Sequence, residues 1–242
     1  MKPALFLSDL HLSPARPAAV AAFHAFLRGP ARDASAVYIL GDLFDWWIGD
    51  DQLRDRFAAE IAGSLQQLSA AGVPLHLARG NRDFMLGERF AQRVGGTLLS
   101  EQTLLDLGGT RTLLSHGDEL CTDDVDYQRY RRWIRDPVRQ RRLERLPYAL
   151  RRAIAAFLRR RSRDANALKP EHILDVNADA VADAFRNHRA QRMVHGHTHR
   201  PARHEHAVDG VVRERYVLAD WHDRGRYLEI DERGVREREI AA

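Results

Sequence analysis

Five times along this chain a short apolar run breaks at residues that bind metals or carry protons. Leu5 to Ser8 runs into Asp9-Leu10-His11, Val37 to Leu40 into Gly41-Asp42-Leu43-Phe44-Asp45, and Leu75 to Ala78 into Gly80-Asn81-Arg82-Asp83. Arg111 to Ser115 leads to His116-Gly117, and Met193 to His195 leads to Gly196-His197-Thr198-His199. Short apolar runs bounded by such breaks read as buried strands. Helical spacing over residues 18–27 and 52–71 separates the first three, so the first half predicts a sheet covered by helices. In such a sheet the loops at the carboxyl ends of the strands converge on one crevice, and ligands far apart in sequence meet there.

The alternation in Asp9-x-His11 and His197-x-His199 puts two ligands on one side of an extended segment. Oxygen and imidazole donors without thiolate suit Mn, Fe or Zn better than Ca or Mg. A carboxylate shared by two such ions, about 4 Å apart, lets both polarise a hydroxide and a phosphoryl oxygen. Taken singly, each motif is commonly just a strand ending in a turn, and a lone histidine on a strand is commonly a hydrogen-bonded core residue. The five together in this order carry the reading. His24, His76, His204 and His206 lie outside the pattern and read as surface or packing residues.

Thr103 to Leu107 and Arg111 to Ser115 read as a hairpin about Gly108-Gly109. Residues 123–170 then turn arginine-dense and helical, with Pro137 and Pro147 dividing them into separate helices. Asn177 to His188 reads as one more helix. The tail reads as antiparallel strands with turns at Asp209-Gly210 and Arg224-Gly225. The chain is therefore one domain over residues 1–242 with a helical insertion over 123–170.

The formal charge of +4 rests on arginine, since lysine occurs only at Lys2 and Lys169. That excess points to an anionic partner without naming it. Cys121 is the only cysteine, so no internal disulfide is possible, and a small buried thiol is its expected role. The apolar start breaks at Asp9 and reads as a first strand rather than a signal peptide. No stretch approaches the roughly 20 apolar residues that span a bilayer, which leaves a soluble protein or one bound at a membrane surface.

The series DLH, GDLFD, GNRD, SHGD and GHTH resembles the calcineurin-like metallophosphoesterases over most of the chain. The resemblance implies a four-layer α/β sandwich of two mixed sheets with helices outside, served by two Mn2+ ions. It implies that Asp9, His11 and His199 hold one ion, that Asn81, His116 and His197 hold the other, and that Asp42 bridges both. Asp45, Asp83 and Asp118 are expected to orient ligands or loops. The family commonly carries Asn-His where this chain has Asn81-Arg82. An arginine does not give up a proton near neutrality, so it suits a phosphate leaving group, which needs charge stabilisation more than protonation. A phosphoanhydride is the expected scissile bond.

The longer stretches YILGDLFDWWIGDD, SHGDELCTDD, RRRSRDANALK and HGHTHRP resemble one branch of that family, which cleaves the diphosphate of a UDP-linked, doubly acylated glucosamine in lipid A synthesis. That implies water attacking the alpha phosphorus to release UMP. Asp42, Asn81, Arg82, His116 and His197 are its implied catalytic residues. Asn81, Arg82, Asp124, Ser162, Asn166, Lys169 and His197 are its implied substrate contacts. A monomer at the cytoplasmic face of the inner membrane is implied as well. Leu150, Ile154, Phe157 and Leu158 recur at helical spacing beside Arg151, Arg152, Arg159, Arg160 and Arg161, which suits a cap over acyl chains resting on anionic headgroups. The competing picture is a helical pair packed on its own apolar face with solvated arginines. Trp46, Trp47 and Trp133 are expected in that groove or in the core. Rival readings are another phosphoesterase of the superfamily and a nucleic-acid-binding module. The second rests on basicity alone, which is not specific, and no nucleic-acid partner is expected.

Overall fold

Along β1 (Ala4–Leu7) the side chains alternate between two apolar layers, Leu5 and Leu7 facing one and Ala4 and Phe6 the other. A strand with no solvated face must lie between two covers, and the rest of the chain supplies them. The computed structural model describes residues 2–166, 170, 173–222 and 224–240, with the backbone alone for 161–166. After β1 come α1 (Pro17–Arg28), β2 (Ala36–Leu40), α2 (Arg56–Ala70), β3 (Leu75–Ala78), α3 (Glu88–Val94) and β4 (Thr97–Leu98). The hairpin β5 (Gln102–Leu107) and β6 (Thr110–Ser115) leads into α4 (Val125–Ile134), α5 (Pro137–Glu144) and α6 (Tyr148–Asn166). The chain ends with α7 (Ala178–His188), β7 (Arg192–His195), β8 (Ala202–Val208), β9 (Val211–Val217), β10 (Arg226–Asp231) and β11 (Gly234–Glu239).

Two mixed sheets result, one in the order β11-β10-β1-β2-β3-β4 and the other β5-β6-β7-β9-β8. Phe6, Tyr38, Leu40, Leu114, Val194 and Leu228 fill the space between them. Phe23, Phe26, Ile61, Leu65 and Phe90 of α1 to α3 cover the outer face of the first sheet. Val181 and Phe185 of α7 cover the second, meeting Leu113 and Met193. The layers run helix, sheet, sheet, helix, as expected. Strands β1, β2 and β3 are mutually parallel, as are β6, β7 and β9, so the loops after them emerge along one end of each sheet.

Two local expectations are corrected. The helix over residues 52–71 is two elements, a 3-10 turn at Asp50–Arg54 and α2 after an extended Asp55. The Asp55 carboxylate accepts the Tyr148 hydroxyl of α6 instead of capping its own helix. The turn at Arg224-Gly225 does not join neighbouring strands: β9 pairs with β7 and β8, whereas β10 pairs with β1 in the other sheet. The crossing is pinned by Trp221, fully buried edge-on against Phe23 and Phe26, with its Nε1 donating to the Arg226 carbonyl at 2.7 Å. Strand β11 and helix α3 have no counterpart in the sequence reading.

Pro137 opens α5 and Pro147 precedes α6, so the prolines do divide the arginine-dense segment. Its helices are fastened to the sheet loops from within. Arg151, almost fully buried, donates to the Ile48 carbonyl and pairs with Asp51, and Arg159 pairs with Asp45.

Candidate metal centre

Each expected ligand follows a strand end: Asp9 and His11 after β1, Asp42 after β2, Asn81 after β3, His116 after β6, and His197 and His199 after β7. The backbone there is not relaxed. Asp9, His11, Asp42, His197 and His199 all have φ between 48° and 70°. That left-handed conformation costs an L-residue roughly 1 kcal/mol or more, and such outliers persist where surrounding structure holds them. The two other non-glycine residues of this kind among those described, Arg189 and Asp209, sit in a helix cap and a hairpin turn.

The side chains gather into two clusters. In the first, His199 Nε2 lies 3.2 Å from Asp9 Oδ1 and 3.4 Å from His11 Nε2. In the second, Asn81 Oδ1 is 2.9 Å from both His116 Nε2 and His197 Nδ1. Asp42 stands between them, with Oδ2 3.7 Å from His11 Nδ1 and Oδ1 3.8 Å from His116 Nε2. Asp9 also accepts the backbone N–H of His197 at 2.8 Å, which locks the β1 and β7 loops together. No side chain fits at Gly80, where a Cβ would fall 2.0 Å from Asp42 Oδ1.

The donor set fits a cation. His116 Nδ1 donates to the Leu40 carbonyl at 2.9 Å, so the Nε2 of a neutral ring aims a lone pair at the Asn81 oxygen. A second proton on the ring, or a cation shared among these atoms, reconciles them. His11 Nδ1 is buried without a hydrogen-bond partner among the described residues. Burial drives the His11 pKa down to about 3 against the pull of Asp9, leaving a neutral ring of the kind that ligates metals. Burial opposes charge on His116 too, but Asp42, Asp9 and Asp118 outweigh it and its pKa stands at about 9. Burial pushes Asp42 up to about 7, His116 and Arg82 working against the rise and Asp83 and Asp9 adding to it. Carboxylates and imidazoles sharing such a space at neutral pH are in electrostatic conflict that divalent charge relieves.

Asp83 orients the centre. Its carboxylate accepts the backbone N–H groups of Asp42 at 3.2 Å, Leu43 at 2.8 Å and Gly80 at 2.7 Å. Asp118, fully buried, accepts from Tyr127 Oη at 2.6 Å, Arg131 Nε at 2.8 Å and Arg135 Nη2 at 3.2 Å, tying α4 to the loop after His116. Asp45 has a different role, since it anchors α6 through Arg159. Cys121 is a buried free thiol whose pKa burial raises, 3.9 Å from the Gly117 carbonyl.

A cavity of about 740 Å³ opens beside Asn81 and Arg82. Trp46, Phe84, Tyr130, Trp133, Ile154 and Leu158 are among the residues that line it, between the sheet loops and helices α4 to α6. Trp47 touches it too but belongs to the core, stacked on Phe44 with ring centroids 4.6 Å apart. The apolar stripe of α6 splits: Ile154 and Leu158 face the cavity, whereas Leu150 and Phe157 are exposed. Among the described residues the Arg82 side chain has no hydrogen-bond or ion-pair partner, while its backbone N–H donates to Asp42 Oδ1 at 2.8 Å. Asp124 caps α4 by accepting the Tyr127 N–H at 3.1 Å. Ser162, Asn166 and Lys169 fall outside the residues whose side chains are described.

Two residues at the centre carry no motif of their own in the sequence: Tyr127, whose ring stacks on His197 at 6.1 Å, and Asp220, whose Oδ2 lies 3.5 Å from His199 Nδ1. Asp220 follows β9 as the expected ligands follow their strands, but it stands alone there with no second metal-binding residue type in a motif around it.

A family model for calcineurin-like phosphoesterases matches residues 2–201. A UDP-2,3-diacylglucosamine hydrolase of Edwardsiella ictaluri (strain 93-146) is 47% identical over 239 residues, covering 98% of this chain and 92% of that one. Its counterpart in Aromatoleum aromaticum (strain DSM 19018 / LMG 30748 / EbN1) is 49% identical over 231 residues, covering 96% and 94%. The one in Pseudomonas paraeruginosa (strain DSM 24068 / PA7) is 47% identical over 233 residues, covering 96% and 97%.

Proposed function

The chain belongs to the calcineurin-like phosphoesterases, and from that we propose that it hydrolyses the diphosphate of UDP-2,3-diacylglucosamine in lipid A synthesis. The products are UMP and 2,3-diacylglucosamine 1-phosphate. The observation that carries the substrate is the apolar cavity opening directly beside Asn81 and Arg82. A largely apolar pocket of several hundred Å³ with a few polar groups at one end suits a lipid with a charged head.

Asp9, His11 and His199 are assigned to one divalent cation, Asn81, His116 and His197 to a second, with Asp42 between. The opposed oxygens of Asp42, one near each histidine cluster, support that division. Mn2+ suits the mixed oxygen and imidazole donors. Bound there, the pair supplies the Lewis acidity and the acidified water that phosphoester hydrolysis requires. The residues do the rest. Arg82 offers the departing phosphate a fixed positive charge, and the Asp83 clasp keeps Asn81 and Asp42 in register. Trp46, Phe84 and Ile154 exclude water around the acyl chains. Asp124, Ser162, Asn166 and Lys169 are assigned to the substrate head.

Among the described residues no helix is long and apolar enough to cross a membrane. The chain is assigned as a monomer attached to the anionic cytoplasmic face of the inner membrane; the attachment is supported by Phe157 and Leu150, exposed on α6 with Arg160 one turn beyond, and by the exposed Trp133 of α4. Hydrolysis of the diacylated substrate with Mn2+ in oxygen-18 water tests the reaction. Label in UMP is expected; label only in the sugar phosphate would refute attack at the alpha phosphorus.

A further inference from the structure

His199 is the most exposed of the seven expected ligands, and the tautomer it offers the centre depends on what holds its far nitrogen. Its Nε2 faces Asp9 and His11, while Nδ1 faces Asp220 Oδ2 at 3.5 Å. The same Asp220 oxygen lies 2.7 Å from His222 Nε2. His222 Nδ1 in turn lies 3.1 Å from Arg16 Nη2. An arginine only donates, so His222 Nδ1 is the acceptor and the proton of the neutral ring sits on Nε2, beside the Asp220 carboxylate. Arg16 is itself held on both sides of the centre. It donates to the Trp221 carbonyl at 2.6 Å and to the carbonyl of Leu10, between Asp9 and His11, at 3.3 Å. The Trp221 N–H completes the frame by donating to the Asp9 carbonyl at 3.2 Å.

From this chain of contacts we infer that Asp220 is a positioning residue that holds the proton on His199 Nδ1 and so directs the Nε2 lone pair at the ion shared with Asp9 and His11. Arg16 and His222 hold Asp220 in turn. Arg16 cannot accept, so its bond to His222 Nδ1 has one direction; the Asp220 carboxylate, which cannot donate, offers only acceptors to His222 Nε2 and His199 Nδ1, while Asp9 Oδ1 accepts from His199 Nε2 wherever no ion stands between them. Without Asp220 the ring of a half-exposed histidine is free to present the other tautomer or to turn toward solvent. Partners of this kind are typically worth about 10–100-fold in metal affinity.

The inference rests on the assignment of Asp9, His11 and His199 to a metal, and the experiment separates the two. Mn2+ binding to the metal-stripped full-length chain is followed by calorimetry, for the wild type, His199→Ala, Asp220→Asn and His222→Ala. Two wild-type sites, one lost in His199→Ala, establish the assignment. Asp220→Asn is then expected to weaken that same site by roughly 10–100-fold and leave the other unchanged. His222→Ala, at an exposed position, is expected to weaken it by up to about 10-fold, the lower end of that range. Wild-type affinity at both sites in both Asp220→Asn and His222→Ala overturns the role of Asp220 while the metal centre stands. A third ion in the wild type that is lost with Asp220 overturns it in favour of direct ligation. A wild type that binds no Mn2+ removes the metal assignment itself.

Discussion

The Asp83 carboxylate accepts the backbone N–H of Asp42 at 3.2 Å, so one acidic side chain fixes the backbone of another that would otherwise repel it. Two further buried amides, Leu43 and Gly80, depend on the same carboxylate. Asp83→Ala therefore strands several buried donors, at about 1–3 kcal/mol each. A loss of about 3 kcal/mol is expected, or roughly 6–12 °C in Tm for a chain of this size. Thermal unfolding measures it. Mn2+ content should fall in the same variant, because the loops of Asp42 and Asn81 lose their common anchor.

Arg82 separates anhydride from monoester chemistry. Its guanidinium has no hydrogen-bond or ion-pair partner among the described residues, so its removal costs little stability. Arg82→Ala should lower kcat on the acylated UDP-sugar by about 10²–10³-fold, the typical value of one donor at developing charge, with Tm nearly unchanged. Arg82→His restores a proton donor and should shift preference toward simple phosphomonoesters. A variant that keeps full anhydride cleavage while the wild type already prefers a monoester would defeat the leaving-group argument.

The expected ligands were legible because each follows an apolar strand, and a strand buried on both faces writes itself into the sequence as a nearly continuous apolar run. Leu5 to Leu7 and Val37 to Leu40 are such runs and Leu75 to Ala78 is broken only by the half-buried His76; their ends point to Asp9, Asp42 and Asn81. Strand β11 gave no such signal, since Glu237, Arg238 and Glu239 lie on an exposed edge of the sheet. The crossing after β9 was hidden because Trp221 looks like strand and acts as a core plug between two sheets. On the cap, spacing marked α6 as amphipathic. It did not reveal that Arg151 and Arg159 point inward to Asp51 and Asp45, because those partners lie about a hundred residues earlier. The left-handed backbone at five of the expected ligands is likewise a tertiary property, imposed by loops that brace one another.

His195 sets a pH dependence of folding that is separate from catalysis. It is fully buried; Arg215 Nη1 donates to its Nε2 at 3.0 Å, and its Nδ1 donates to the Gly196 carbonyl at 2.8 Å. Burial, reinforced by the Arg215 charge, lowers its pKa to about 3. The unfolded chain takes up this proton below about 6.5, whereas the folded chain does not until near 3. Stability from this group is therefore complete above pH 6.5 and declines by about 1.4 kcal/mol per pH unit as the pH falls through that window. Urea unfolding at pH 7 and pH 5 should show a steeper acid loss in the wild type than in His195→Gln. Equal slopes would show that the ring already carries its proton in the folded chain.

The outer face of α6 sets the last test. Phe157 is 63% exposed and Leu150 46%, although the same helix turns the half-buried Ile154 and Leu158 toward the cavity. Keeping a large aromatic in water on a helix with an available apolar side is costly unless another surface covers it. Arg160, exposed one turn beyond Phe157 on the same helix, adds positive charge to that face, which selects an anionic surface over a neutral one. Phe157→Glu should weaken binding to phosphatidylglycerol-containing vesicles by at least about 10-fold, combining lost burial worth roughly 1.5–3 kcal/mol with added repulsion. Sedimentation with vesicles at increasing salt reads both parts: salt weakens the arginine contribution and leaves the apolar one. Turnover of a short-chain, water-soluble substrate should stay at the wild-type value, because Phe157 lies outside the cavity lining. Binding that ignores lipid charge would remove the arginines from this account, and binding that survives Phe157→Glu would remove the face itself.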